Sequence, residues 1–414
     1  MYKIILSFFL ILSCQSTDTL TKNFKEIDQS QFVEIDNHAL KTPPSEEISI
    51  TKLSKYLTST SKNDLEKSRA IYRWITDRIA YDTKSYFNNS SGDVSADKVL
   101  QSKIAVCEGY SNLFNELAKE AGLETEKING FSKGFSYFPG KKFTKEDHAW
   151  NAVKIGGEWR LLDSTWGSGI VNGKDFKKEF NDFYFLTMPE KFLNDHLPLD
   201  SKWQLVSNTL SPEEFSVKVK RFPSFFKFNF NNINPDTAII ESNDYEEITF
   251  ENPNKLQVIT SLDNFKQNSF VRQEGSKTII ELRSPGKGSY ELKVFSRKKD
   301  ETGLFPIVLQ QKINFQKEHS LGQYPEILDT TKLYLETPKE GKLKSGKKVL
   351  FSLKVFSAKE IAFVDSSKEW KKFSPSGDDS KFSGEVLLEE GPVNVFANYG
   401  GDSWPLIVKY VAMK

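Results

Sequence analysis

The chain has 414 residues, 38% of them hydrophobic and 13% aromatic, with 57 Lys and Arg against 56 Asp and Glu and a formal net charge of +1. That length accommodates two to four domains with sizeable cores. The balanced charge excludes the basic excess typical of a nucleic-acid binder, and the scattered Lys and Glu read as a solvated surface.

At the amino terminus, Met1-Tyr2-Lys3 is followed by a short apolar run from Ile4 to Leu12. One positive charge, a run too short to span a bilayer and a small residue at Ser13 are the pattern of a secretory signal. Ile11-Leu12-Ser13-Cys14 also resembles the bacterial lipobox, so residues 1–13 are expected to be removed and Cys14 to carry lipid. That expectation anchors the protein to a membrane of the bacterial cell envelope. Residues 14–45 are polar and end in Pro43-Pro44, which predicts a flexible tether.

Residues 46–215 alternate helical and strand patterns. Ile50, Leu53 and Leu57 make a short helical stripe. Asn63, with Glu66 three residues on, starts a longer helix bearing Ile71, Trp74, Ile75 and Ile79. Residues 83–93 are polar and Asn/Ser-rich, predicting a loop, and Ala96–Leu100 is a brief helical turn. In the next stretch, Tyr110, Leu113, Phe114, Leu117, Ala118 and Ala121 recur at helical spacing, and Gly122 supplies a stop. Cys107 therefore stands at the start of an amphipathic helix, where backbone N–H groups and the helix dipole favour an anion. If Cys14 carries lipid, Cys107 has no cysteine left to pair with. A lone thiol in an exported protein points to catalysis.

Glu124–Ile128 reads as a strand, and residues 130–135 as a glycine-punctuated aromatic loop. Two further strands, His148–Ile155 and Glu158–Asp163, flank Gly156-Gly157, a two-residue hairpin signal. Residues paired across such a turn sum to 155 + 158 = 313, so Trp150 faces Asp163 and His148 lies on the same side as Asp163. A one-residue slip would separate them onto opposite faces. Cys107, His148 and Asp163 thus supply a nucleophile, a base and a carboxylate to orient the base.

Val106-Cys107-Glu108-Gly109-Tyr110, His148-Ala149-Trp150-Asn151 and Leu162-Asp163-Ser164-Thr165-Trp166-Gly167 closely resemble motifs of the transglutaminase-like superfamily. The branch they resemble is the kyphoscoliosis peptidase group, over residues 68–215. The resemblance implies an α+β papain-like catalytic core with Cys107 as nucleophile, His148 as base and Asp163 as orienter. It implies no cofactor or metal, since no acidic cluster has calcium-loop spacing. Glu108 fits the pattern, although its charge opposes an anion beside it. Gln101, six residues before Cys107, sits at the offset where papain-like enzymes place an oxyanion-stabilising amide; a solvated surface role is its alternative. Tyr110, Trp150 and Trp166 are candidates to contact substrate, or else shield the triad from water. His196, beside Pro198 and Trp203, reads as structural.

From about residue 216 short β-type runs take over, predicting two all-β, immunoglobulin-like sandwiches over residues 216–328 and 329–414. Gly288–Phe295 followed by Phe305–Val308 echoes Gly391–Phe396 followed by Trp404–Val408, which suggests a degenerate duplication. These domains are expected to bind an envelope protein or glycan. The function expected is acyl transfer from a protein or peptide amide through Cys107, with hydrolysis favoured over amine transfer. A non-catalytic surface scaffold is the reading from another class.

Overall fold

The computed structural model describes residues 25–414 apart from 91, 300, 329–332 and 377–379. The signal segment and Cys14 lie outside the described residues. Among the described residues no helix is long and apolar enough to cross a membrane. The chain forms two compact units, one of residues up to 129 with 149–192 and 198–209, the other of residues 130–148, 193–197 and 210–414.

The first unit is built on helices whose starts are written locally. Ahead of α1 (Val33–Leu40) a 3-10 turn covers Gln29–Phe32, and α2 (Ile50–Thr58) begins where the Ser49 hydroxyl accepts from the Lys52 N–H. The Asn63 side chain accepts from the Glu66 N–H and starts α3 (Asp64–Arg78), as its sequence predicts. The α3 stripe of Ala70, Ile71, Trp74 and Ile75 is fully buried.

Within the expected tether of residues 14–45, the described part from Gln29 to Leu40 is helical and docked instead of extended. Phe32, Ile35 and Ala39 enter the same core as α3, and Arg69 holds Asp36 through two 2.7 Å hydrogen bonds. The segment is polar in composition because its one buried stripe is narrow and its key carboxylate pairs with a distant arginine. Arg69 is 2% exposed and also donates to Gln29 Oε1 at 2.9 Å. Removing one member of such a pair strands the other, so Arg69→Ala should cost about 3 kcal/mol of unfolding free energy. Urea titration of the two proteins checks this; a loss under about 0.5 kcal/mol would mean the segment is not docked.

After α3 come β1 (Ala80–Tyr81), α4 (Thr83–Phe87), α5 (Ala96–Ser102) and β2 (Ile104–Ala105). Part of the predicted 83–93 loop is therefore helical, capped by Asp82. β1 and β2 pair in parallel, with Tyr81 opposite Ala105, and fix the chain just before α6 (Cys107–Glu120). Tyr110, Leu113, Phe114, Leu117 and Ala118 of α6 are buried, and Gly122 ends the run at φ +77°.

Beyond α6 run β3 (Thr125–Ser132), β4 (His148–Ile155), β5 (Glu158–Leu162), α7 (Ser164–Ser168), the β6–β7 pair (Gly169–Asn172, Asp175–Lys178) and β8 (His196–Pro198). β3 absorbs Gly130–Ser132, the first part of the predicted aromatic loop. A four-stranded sheet has the order β5-β4-β3-β8. One of its faces sends Val153 and Leu162 into the helical core, and the other sends Ile128, Trp150, Ala152 and Leu161 into an aromatic layer with Tyr184 and Phe192. Burial on both faces accounts for the unbroken run of buried residues from His148 to Val153 in β4.

In the second unit, a four-stranded and a five-stranded sheet enclose one core, and a six-stranded and a three-stranded sheet enclose another. The echo seen in sequence is an echo in register. Gly288–Arg297 with Ile307–Phe315 carries a bulge at Val294/Phe295, and Gly391–Asn398 with Leu406–Met413 carries one at Val395/Phe396. In each hairpin the residue just after the bulge donates its N–H to a proline carbonyl, Ser296 to Pro306 and Ala397 to Pro405, both at 3.0 Å.

Candidate active site

Cys107 is the first residue of α6 and half-buried, with no disulfide partner among the described residues. Val106 before it offers no side-chain cap, so the dipole end of the helix is met at this point by the cysteine itself. The carboxylate of Glu108, read from sequence as opposing an anion here, is paired with Lys127 Nζ at 3.0 Å. Its charge is compensated locally.

His148 opens β4 and Asp163 follows β5. The observed register pairs Asn151 with Leu162 and Ile155 with Glu158, each summing to 313, across Gly156 and Gly157 at φ +59° and +84°. Positive φ at both turn residues is what glycine supplies, and it sets the parity that puts His148 and Asp163 on one side. Asp163 is fully buried, and its Oδ1 accepts from Thr165 N at 2.7 Å and Trp166 N at 3.1 Å, which begins α7. Burial and then the charge at Cys107, with that at Asp163 further down, push the Tyr81 hydroxyl well above its ordinary range.

At the end of the sheet the structure gathers His148, Asp163 and a third side chain, His196, each buried, with ligand-type atoms all within 4.8 Å of one another. Two imidazoles and a carboxylate so grouped suit proton transfer. His196, which the sequence reads as structural, is the member that spacing alone does not reveal. Its adjacent Asp195 is the available signal: His196 Nδ1 lies 2.7 Å from Asp195 Oδ1.

The four residues proposed to meet substrate are placed differently from one another. Gln101 is exposed on α5. Tyr110 and Trp150 are fully enclosed, which removes them from direct contact with a bound peptide. Tyr110 donates to the Ile79 carbonyl at 2.7 Å and accepts from the Ser168 hydroxyl, so it ties α6 to the end of α3 and to α7. Trp150 packs on Phe192 in the aromatic layer. Trp166 is half-buried, edge-on to Tyr184, and keeps an accessible side.

Residues 51–164 match the transglutaminase-like superfamily, a span that contains Cys107, His148 and Asp163, and residues 212–325 match the KY-like, immunoglobulin-like domain. The chain is 32% identical over 256 residues to kyphoscoliosis peptidase of Mus musculus, covering 61% of this chain and 39% of that protein. It is 31% identical over 275 residues to kyphoscoliosis peptidase of Homo sapiens, covering 66% and 41%. With the Lim and transglutaminase domain protein ltd-1 of Caenorhabditis elegans it shares 35% identity over 219 residues, 48% of this chain and 29% of that one. The chain spans about two fifths of the length of the two kyphoscoliosis peptidases.

Proposed function

We propose, from a chain that carries a transglutaminase-like domain followed by a KY-like immunoglobulin-like domain, that it is a thiol enzyme acting on protein or peptide amides, with peptide hydrolysis as its reaction. The observation that carries this reading is the buried grouping of His148 with Asp163, within a span that matches the transglutaminase-like superfamily and also contains Cys107. In the reaction, His148 takes the Cys107 proton and the sulfur attacks the amide carbonyl carbon. The C–N bond breaks, the leaving amine takes its proton from the imidazole, and a thioester remains on Cys107. Water then attacks the thioester, giving up a proton to His148, and the carboxylic acid and free thiol are released. Asp163 keeps the His148 ring in one tautomer throughout. Preference for water over an amine follows the name of the relatives, kyphoscoliosis peptidase. Lipid on Cys14 would hold the enzyme at a bacterial envelope membrane, and the two sandwiches would bind an envelope protein or glycan.

Thiol alkylation tests the activation step. At neutral pH, iodoacetamide should modify Cys107 at least roughly tenfold faster in the wild-type protein than in His148→Ala, since base assistance supplies factors of this order and above. Equal rates would reject an activated nucleophile.

A further inference from the structure

We propose that His196, held by Asp195, is a positioning residue for His148: its ring fixes the orientation in which His148 exchanges its proton. The proposal rests on the reading of His148 as the base.

His196 is fully buried and Asp195 is 2% exposed. The His196 ring lies 5.3 Å from the His148 ring, centroid to centroid, at an interplanar angle of 46°. A buried carboxylate beside a buried imidazole is costly unless the two are bonded, and here the 2.7 Å contact joins them. Apolar packing would fill the same volume without that cost, so the dyad calls for a reason beyond filling space.

The segment that carries the dyad is also held in place. Asn194 accepts the Arg221 N–H at 3.0 Å, and the Asp195 carbonyl accepts the Lys133 N–H at 2.9 Å. The Asp195 charge acts on the buried Lys133 and the half-buried Lys220; desolvation draws them down to about 7 and about 8, and Asp195 opposes that draw. Lys133 in turn donates to the Lys218 carbonyl at 2.8 Å. His196 therefore presents a ring that cannot easily turn, tilted against the ring of His148. The carboxylate fixes which nitrogen of His196 faces it, as outer partners do for working histidines. A base displaced by about 1 Å loses on the order of 10²-fold in rate, which sets the size of effect such a support can have.

The test uses the full chain with His196→Gln, which keeps an amide for Asp195 but removes the ring, and Asp195→Asn, which keeps the ring but weakens its hold. For peptide cleavage, His196→Gln should lower kcat roughly 10²-fold with KM within about twofold, and Asp195→Asn should lower kcat roughly tenfold. The imidazole Cε1–H resonance of His148 should move in both variants. An unmoved resonance with unchanged kcat overturns the proposal, as does a lowered melting temperature alone. The resonance is read without turnover, so a moved resonance in a protein that cleaves nothing would support the positioning role while rejecting the peptidase reading. Should His196→Gln not fold, Asp195→Asn decides by the same two readouts.

Discussion

Cys107→Ser is expected to abolish peptide cleavage while leaving the fold intact. Serine at this position keeps the shape but loses the polarisable, readily ionised sulfur, and every covalent step of the proposed reaction passes through that atom. The expected fall in kcat/KM is at least roughly 10⁴-fold, or about 5.4 kcal/mol of transition-state stabilisation. Stability should change by less than about 0.5 kcal/mol, because Cys107 is half-buried at the first helical position and outside the buried core of α6. Parallel activity assays and urea titrations separate the two quantities. Residual cleavage within tenfold of wild type would show that the thiol is not the nucleophile.

In the proposed reaction Asp163 has a second duty beside its cap of α7, and paired substitutions can divide the two. Its carboxylate belongs to the His148 grouping, while its Oδ1 also caps α7 by accepting from Thr165 N and Trp166 N. Asp163→Asn keeps an oxygen for the cap and removes the charge, so activity should fall roughly 10³- to 10⁴-fold with little loss of stability. Asp163→Ala should show the same loss of activity and, in addition, unfold with about 1–2 kcal/mol less free energy as the cap disappears. If Asp163→Asn retained most of the activity, the carboxylate would be structural alone.

The parts of the fold that sequence makes legible are those set by local periodicity. The α6 stripe has helical spacing and ends at Gly122, and both features depend on residues within one segment. The β4–β5 register follows from two adjacent glycines and a period of two, so the relation of His148 to Asp163 needs no knowledge of the rest of the chain. The hairpin echo in the second half is legible for the same reason, since a bulge and a following proline recur at matching places.

What sequence does not disclose is long-range pairing. Residues 14–45 read as a solvated tether because their composition is polar, and only the fold brings Arg69 to Asp36 across 33 positions. His196 sits in a three-residue strand too short to have a period, and its burial comes from joining the edge of a sheet whose other strands lie far earlier. Tyr110 and Trp150 illustrate a related gap. An aromatic residue near a nucleophile can point to substrate or to core with the same spacing, and both here point to core.

The central claim is that an acyl group rests on the Cys107 sulfur. Intact-mass measurement of the purified protein, after brief exposure to a peptide library with and without an added primary amine, tests it most directly. A mass increase equal to an acyl fragment is expected at Cys107, absent from Cys107→Ser, and discharged to free acid by water even when the amine is omitted. No adduct under either condition, or an adduct that persists in Cys107→Ser, would contradict it.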